Sequence, residues 1–208
     1  MHNGLRKPIV RHPERHQALE VHDEGMPKMS MSEERVAEPS PDQVDGLSAD
    51  EFKLAFRNHP AGVAVITADA GDGPVGLTAT SVFSVSAEPP LLVFSLSAQS
   101  SSAPTIGRAD TVVIHLLGAD QLGLAKLFAT SGVDRFADHS RWDRLITGEP
   151  YLPAAPTWIR GRIIERMTAG GSTVVAVHAL QSHSVDGDTA PLVYHNRAWH
   201  QIGAHSLL

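Results

Sequence analysis

The chain has 208 residues, 42% of them hydrophobic, a formal charge of −6 and no cysteine. That length suits one domain with an appendage; the acidic balance excludes the basic stripe that nucleic acid requires, and the lack of cysteine excludes disulfides, thiol catalysis and cysteine metal sites. With no apolar run near the ~18 residues of a membrane span and no signal-peptide core, we expect a soluble cytoplasmic protein without a membrane partner.

Residues 1–47 mix scattered Lys and Arg with many acidic residues, Met26, Met29, Met31, Pro39 and Pro41, and show no sustained apolar period. Such a segment cannot offset the entropy of ordering, so it reads as a flexible N-terminal extension. Its His2, His12, His16 and His22 follow no metal-site spacing. The folded domain, 48–208, opens with Ser48-Ala49-Asp50-Glu51, a capping box in which Ser and Glu satisfy each other's amides. The helix that follows runs to about Asn58, carries Phe52, Leu54, Ala55 and Phe56 partly on one face, and is stopped by Pro60.

Short β-branched runs come next: Gly62–Ala68, a hairpin turn at Gly71-Asp72-Gly73, then Val75–Thr80, Val82–Ser86 and Leu91–Ser97. A short helix at Pro104–Arg108, a strand at Thr111–Leu117 and an amphipathic helix at Gln121–Thr130 precede an irregular stretch, Asp134–Pro156. Three strands close the chain, Thr157–Met167, Ser172–His183 and Pro191–Ile202, with a turn at Asp186-Gly187-Asp188 between the last two. Short strands with turn signals and no repeated βα alternation indicate a closed antiparallel barrel.

The usual loops for nucleotides and nucleophiles are missing. The only GxGxxG, Gly71-Asp72-Gly73-Pro74-Val75-Gly76, lies in the hairpin turn between two strand runs rather than opening a helix, and there is no GxxxxGK[ST], so a nicotinamide cofactor would bind outside a Rossmann unit. GxSxG and HExxH are also absent, and His178, His183, His195 and His200 show no recurrent metal spacing, so no metal is expected. What remains is two clusters of hydroxyls on neighbouring runs: Thr78, Thr80 and Ser81 on the first, and Ser95, Ser97, Ser100, Ser101 and Ser102 on and after the second. Neutral donors at strand ends suit a planar ligand that carries a phosphate. Thr78–Ser81 beside Val82 and Phe83 supply ring-edge donors and an apolar wall. Ser100, Ser101, Ser102 and Thr105 supply phosphate donors, helped by the helix that begins near Pro104. Arg135, in Asp134-Arg135-Phe136, is a candidate charge partner for that phosphate or a surface ion pair.

The segment Gly76-Leu77-Thr78-Ala79-Thr80-Ser81-x-x-Ser84-x-Ser86-x-x-Pro89-Pro90-Leu91 resembles the signature of the flavin reductase-like, FMN-binding split-barrel proteins. More narrowly, it is similar to the short-chain NAD(P)H:flavin oxidoreductases that supply reduced flavin to a separate monooxygenase. The likeness runs from about Phe52 to about Ile202 and takes in Ser100–Ser102, Gln121-Leu122-Gly123-Leu124-Ala125 with Phe128-Ala129, Asp134-Arg135-Phe136, and Pro191-Leu192-Val193-Tyr194-His195. It implies a mainly β fold, a six-stranded antiparallel Greek-key split barrel with a few short flanking helices. It also implies that Thr78, Ala79, Thr80 and Ser81 contact the isoalloxazine, that Ser95 and Ser97 line the ribityl chain, and that Ser100–Ser102 hold the phosphate. Phe128 and Arg135 would lie near the flavin, across the junction of a homodimer. Two departures stand out. Gly170-Gly171-Ser172 replaces the Gly-Asp-His that many relatives carry near the nicotinamide, leaving Ser172 in the histidine's place, and Thr80 stands where Asn is common.

The expected reaction is hydride transfer from NADH or NADPH to FMN, with FAD or riboflavin as other substrates. No side chain is required as an acid–base catalyst, because the cofactors carry the chemistry. Two alternatives stay open at this level: a non-catalytic FMN-binding protein, and a split-barrel oxidase acting on another substrate.

Overall fold

The structure, a computed structural model, describes residues 46–185, 187 and 189–208. The expected N-terminal extension up to residue 45, with its four histidines, lies outside the described residues, as do Asp186 and Asp188 of the expected turn.

The first helix, α1 (Ala49–Arg57), is nucleated by its capping box: Ser48 N donates to Glu51 Oε2 at 2.9 Å, and Glu51 N donates to Ser48 Oγ at 3.3 Å. None of its residues is buried, although Phe52 and Phe56 stack with centroids 4.8 Å apart. Strands β1 (Ala61–Gly62) and β2 (Ala64–Ala68) lead to a turn in which Asp69 Oδ1 accepts from Gly71 N at 2.8 Å and Gly73 N at 3.1 Å. Both glycines have positive φ there, +96° and +108°, which is why a residue with a Cβ is disfavoured at either.

After the turn come β3 (Val75–Ala79), β4 (Phe83–Ala87) and β5 (Pro90–Ser97), the last two joined through a cis Glu88–Pro89 bond. Then follow α2 (Ala103–Arg108), β6 (Thr111–Leu116) and α3 (Leu122–Ala129). Two short strands paired with each other, β7 (Asp143–Arg144) and β8 (Pro150–Tyr151), interrupt the irregular stretch before the long strands β9 (Thr157–Ala169) and β10 (Ser172–Ser184).

The chain ends differently from expectation. The single strand anticipated at Pro191–Ile202 is a hairpin, β11 (Leu192–His195) and β12 (Ala198–Gln201), turned by Asn196 and Arg197 with φ of 47° and 63°. The reason is local: two consecutive left-handed residues make the tight turn whose twist suits a hairpin, and the Gly that normally signals it is absent.

Seven strands form one antiparallel sheet in the order β3-β2-β6-β9-β10-β5-β4, and β1-β11-β12 form a second sheet, so the six-strand count is exceeded. The main sheet cannot be flat. Six strand spacings of about 4.8 Å would set its edges roughly 29 Å apart, whereas the four Cα steps from Ala79 to Phe83 reach about 14 Å. The sheet therefore curls until β3 and β4 approach, and Ser81 stitches the seam: Ser95 N donates to Ser81 Oγ at 3.0 Å, and Ser81 Oγ donates to Ser95 O at 3.3 Å.

Period-two alternation sorts the side chains. Leu77 and Ala79 of β3 and Leu92, Phe94 and Leu96 of β5 point into the barrel core with Ile66, Val112, Ile114 and Val177. Burying each Leu-, Ile- or Phe-sized side chain contributes about 1.5–3 kcal/mol. A second core lies outside the barrel wall, where Val63, Val65, Leu124, Ala125, Phe128, Phe136 and Leu152 pack together. The stretch 134–156 is thus a cover for that second core, and this explains why β6 is buried on both faces from Val112 to His115. Among the described residues, no helix is long and apolar enough to cross a membrane.

Candidate functional site

Because Leu77 and Ala79 face inward, Gly76 and Thr78 form the outward row of β3, and Thr80 follows just past its end. At Gly76 the absent side chain is filled by Phe128: a Cβ there would stand 2.6 Å from Phe128 Cε1 and 3.0 Å from Ile66 O. Two residues on, Thr78 Oγ1 donates to Ala125 O of α3 at 2.7 Å. Ser102, from the loop before α2, donates its hydroxyl to Gly76 O at 2.8 Å. The first hydroxyl cluster and the serine loop are therefore fastened to one strand, and α3 is clamped over the same row.

The outward row of β5 continues the line of hydroxyls. Ser81 meets Ser95 at the seam, and Ser97 follows two positions along, about 7 Å farther on the same face. Both Ser95 and Ser97 are exposed. Ser97 Oγ accepts from Gln99 N at 3.3 Å, and Ser100 Oγ accepts from Ser102 N at 3.3 Å, so these hydroxyls order the loop while keeping their protons available. Ser101 is exposed and accepts from Arg135 Nη1 at 3.2 Å; Arg135 Nη2 reaches Thr130 O at 2.7 Å. Arg135 Nε is buried with no acceptor. An unmet buried donor costs about 1–3 kcal/mol, and an oxygen-rich anion beside Ser101 provides what this guanidinium lacks. The donor set, several hydroxyls and one cation, fits a phosphate monoester.

Not every anticipated residue presents its side chain to this line. Ala79 is 6% exposed within the barrel core, which leaves only its main chain for a ligand. Phe128 is 2% exposed, edge-on to Phe136 at 5.4 Å, and acts as a support beneath Gly76. Ser102 is buried, and its proton is committed to Gly76 O. Thr105 is likewise engaged, donating to Asp72 Oδ2 at 3.2 Å. Ser172 sits directly across from Ser97 in the β5–β10 register, at the serine-loop end of the seam.

At the other end of the seam, a cleft of about 840 Å³ opens beside Thr80, Ser81 and Val82. One wall is α1, through Phe52, Lys53, Phe56 and Arg57; the opposite wall is the β11–β12 turn, through Tyr194 to Arg197. The volume lies inside the range of small-molecule and cofactor sites, about 300–1,000 Å³. Sequence reasoning missed the second wall, because Asn196-Arg197 lies within a run taken as one strand. The signal available was Asn between two alternating runs, a residue that accepts positive φ. Among the described residues, no group of three or more His, Asp or Glu is placed to hold a metal.

The chain is similar to known proteins in sequence and in fold. The sequence model described as "flavin reductase like domain" matches residues 56–203. The NADH:FMN oxidoreductase of Rhodococcus erythropolis is 43% identical over 165 residues, covering 78% of this chain and 86% of that protein. The NADH:riboflavin 5'-phosphate oxidoreductase of Streptomyces pristinaespiralis is 35% identical, covering 72% of this chain and 85% of its own. Among solved structures, the flavin reductase domain protein of Arthrobacter sp. FB24 superposes with a TM-score of 0.70 at 36% identity, over 74% of this chain and 95% of that one. The matched region contains both strands of the seam, the serine loop and the segment bearing Arg135, and on these grounds the chain belongs to the flavin reductase-like domain family.

Proposed function

We propose that this protein is an NAD(P)H:flavin oxidoreductase that takes FMN along the β3–β5 seam and NADH through the cleft beside it. The observation that carries the reading is the row of exposed hydroxyls at Thr80, Ser95, Ser97 and Ser101, ending at a guanidinium with an unmet N–H. FMN as the flavin and NADH as the reductant follow the printed activities of relatives at 43% and 35% identity.

When bound, the flavin supplies the hydride acceptor and the nicotinamide the hydride donor. The residues of this chain bind and orient. Thr80 and Ser81, with the main chain of Thr78 and Ala79, meet the ring edge; Ser95 and Ser97 line the ribityl chain; Ser100, Ser101 and Arg135 hold the phosphate. Thr78 and Phe128 act one step back by fixing α3 against β3, which keeps the seam rigid enough for aligned transfer. Ser172, opposite Ser97, adds a hydroxyl beside the ribityl chain.

Two further readings rest on the family resemblance. The reduced flavin passes to a separate monooxygenase, consistent with a phosphate site that has one cation. The protein pairs as a homodimer, which would cover the exposed Val85 of β4, outside the cleft. Purified protein given FMN should consume NADH, read as loss of nicotinamide absorbance. Spectral binding of FMN without NADH or NADPH consumption would instead establish a non-catalytic flavin carrier. Sedimentation or light scattering tests the dimer.

A further inference from the structure

We propose that Arg57 and Arg197 form an anion-holding pair at the mouth of the cleft, taking the phosphates of the nicotinamide dinucleotide. The inference rests on the flavin reductase reading and adds residues that hold its reductant. The chain as a whole carries a charge of −6, yet no Asp or Glu lines this cleft, while Lys53, Arg57 and Arg197 do. Lys53 is already paired with Asp50 at 3.2 Å. Among the described residues, neither arginine has a carboxylate within ion-pair distance.

The backbone at Arg197 sharpens the argument. Its φ of 63°, after 47° at Asn196, puts it at the second central position of a tight turn, where Gly is favoured and any other residue costs roughly 1–2 kcal/mol. A guanidinium is thus kept where folding alone favours no side chain, and strain of this kind gathers at ligand sites. The turn is also tied to the opposite wall: Asn196 N donates to Arg57 O at 3.1 Å, so both arginines stand on segments joined by a main-chain bond. In the same cleft, Phe52, Phe56, Phe83 and Tyr194 line the space with apolar rings that suit the dinucleotide's bases.

A pyrophosphate, common to NADH and NADPH, supplies the oxygens that two forked guanidiniums take in paired bonds. The 2′-phosphate of NADPH and the pyrophosphate of FAD share that chemistry, and the test separates them. The variants are Arg197→Gly, which suits the turn, and Arg57→Gln, with FMN as the flavin because it has no pyrophosphate. Each should raise the KM for NADH about tenfold while kcat moves less than twofold, since each removes one charge-assisted contact. The salt dependence of that KM should flatten. An unchanged FMN titration shows that the fold and flavin seam are intact.

A rise seen with NADPH but absent with NADH would overturn the pyrophosphate assignment, and so would one confined to FAD as flavin. An unaltered NADH KM in the double variant with intact FMN binding would overturn the pair altogether. Should the wild type fail to oxidise NADH with FMN, the flavin reductase reading fails. Titration of NADH fluorescence would still read the pair directly, with weaker binding in the variants expected and equal binding refuting it.

Discussion

The buried imidazole of His115 makes stability depend on pH in a calculable way. His115 is 0% exposed on β6, and its ring joins two segments: Nδ1–H donates to Val65 O at 3.0 Å, and Nε2 accepts from Leu152 N at 3.0 Å. Val65 O can only accept and Leu152 N–H can only donate, so the neutral ring with its proton on Nδ1 is the sole form that satisfies both. Burial pushes the pKa down to about 4, against a smaller upward pull from the bond to Val65 O, where an ordinary histidine has 6.5. A histidine with a depressed pKa stabilises the fold fully only above its unfolded value, and that stability drains away as the pH falls from 6.5 toward about 4.

The full span is worth about 3 kcal/mol, and roughly 2 kcal/mol of it is lost between about pH 7 and pH 5. Two carboxyls complicate only the lower end. Burial raises Asp69, but Arg144 and the N–H groups of Gly71 and Gly73 lower it by more; burial raises Glu149, but bonds from Thr147, Thr111 and Arg160 lower it by more. Both carboxyls are therefore held below their ordinary values, and the stability they contribute is lost only toward the acid end of the histidine's window. Urea midpoints of wild type and His115→Gln across that window provide the assay, since glutamine can donate and accept but does not titrate. The wild type should lose about 2 kcal/mol relative to the variant's flat profile. Parallel curves would refute the argument, however unstable the variant proved to be.

Two substitutions test the seam. Arg135→Gln should weaken FMN binding about tenfold while leaving riboflavin, which has no phosphate, unchanged; equal losses for the two flavins would remove Arg135 from the phosphate site. Gly76→Ala should destabilise the fold by about 1–3 kcal/mol in urea, because the added methyl must displace Phe128 against the carbonyl of Ile66. The same variant should weaken flavin binding, since α3 is held to β3 by Thr78 and by that ring, and unaltered binding would show that the clamp does not shape the site.

Local rules carried much of the fold. Ser48 and Glu51 announced their capping box, Gly71 and Gly73 their turn, and the run Leu91–Ser97 its strand. What stayed hidden depended on partners distant in the chain. Nothing local in Ala79 or Phe128 says that each is core, because residue type does not reveal which face a curled sheet turns inward. The role of residues 134–156 was equally illegible. Its Leu152 has meaning only once His115 and Phe136 stand beside it, in a second core that no periodic pattern marks. The β11–β12 turn was missed for a different reason: Arg197 occupies a position whose usual sign is glycine.

That second core connects stability to the site. Phe128 bears on Gly76 from one side and on Phe136 from the other, and Phe136 in turn meets Trp142 edge-on at 5.2 Å, with Trp142 Nε1 donating to Phe136 O at 2.9 Å. Arg135 is the neighbour of Phe136, so the residue that closes the phosphate end is set by the packing that clamps α3 over β3. Loosening this core by a cavity should therefore disturb the phosphate end before the cleft, whose walls α1 and β11–β12 also meet through Asn196 and Arg57. Leu192 of β11 belongs to the same core, with Tyr194 and Trp199 packed against it, so the cleft is less directly tied to Phe136 than Arg135 is. Phe136→Ala, measured by FMN and NADH titrations together, should weaken the flavin by far more than the dinucleotide, and equal losses would show a single cooperative support.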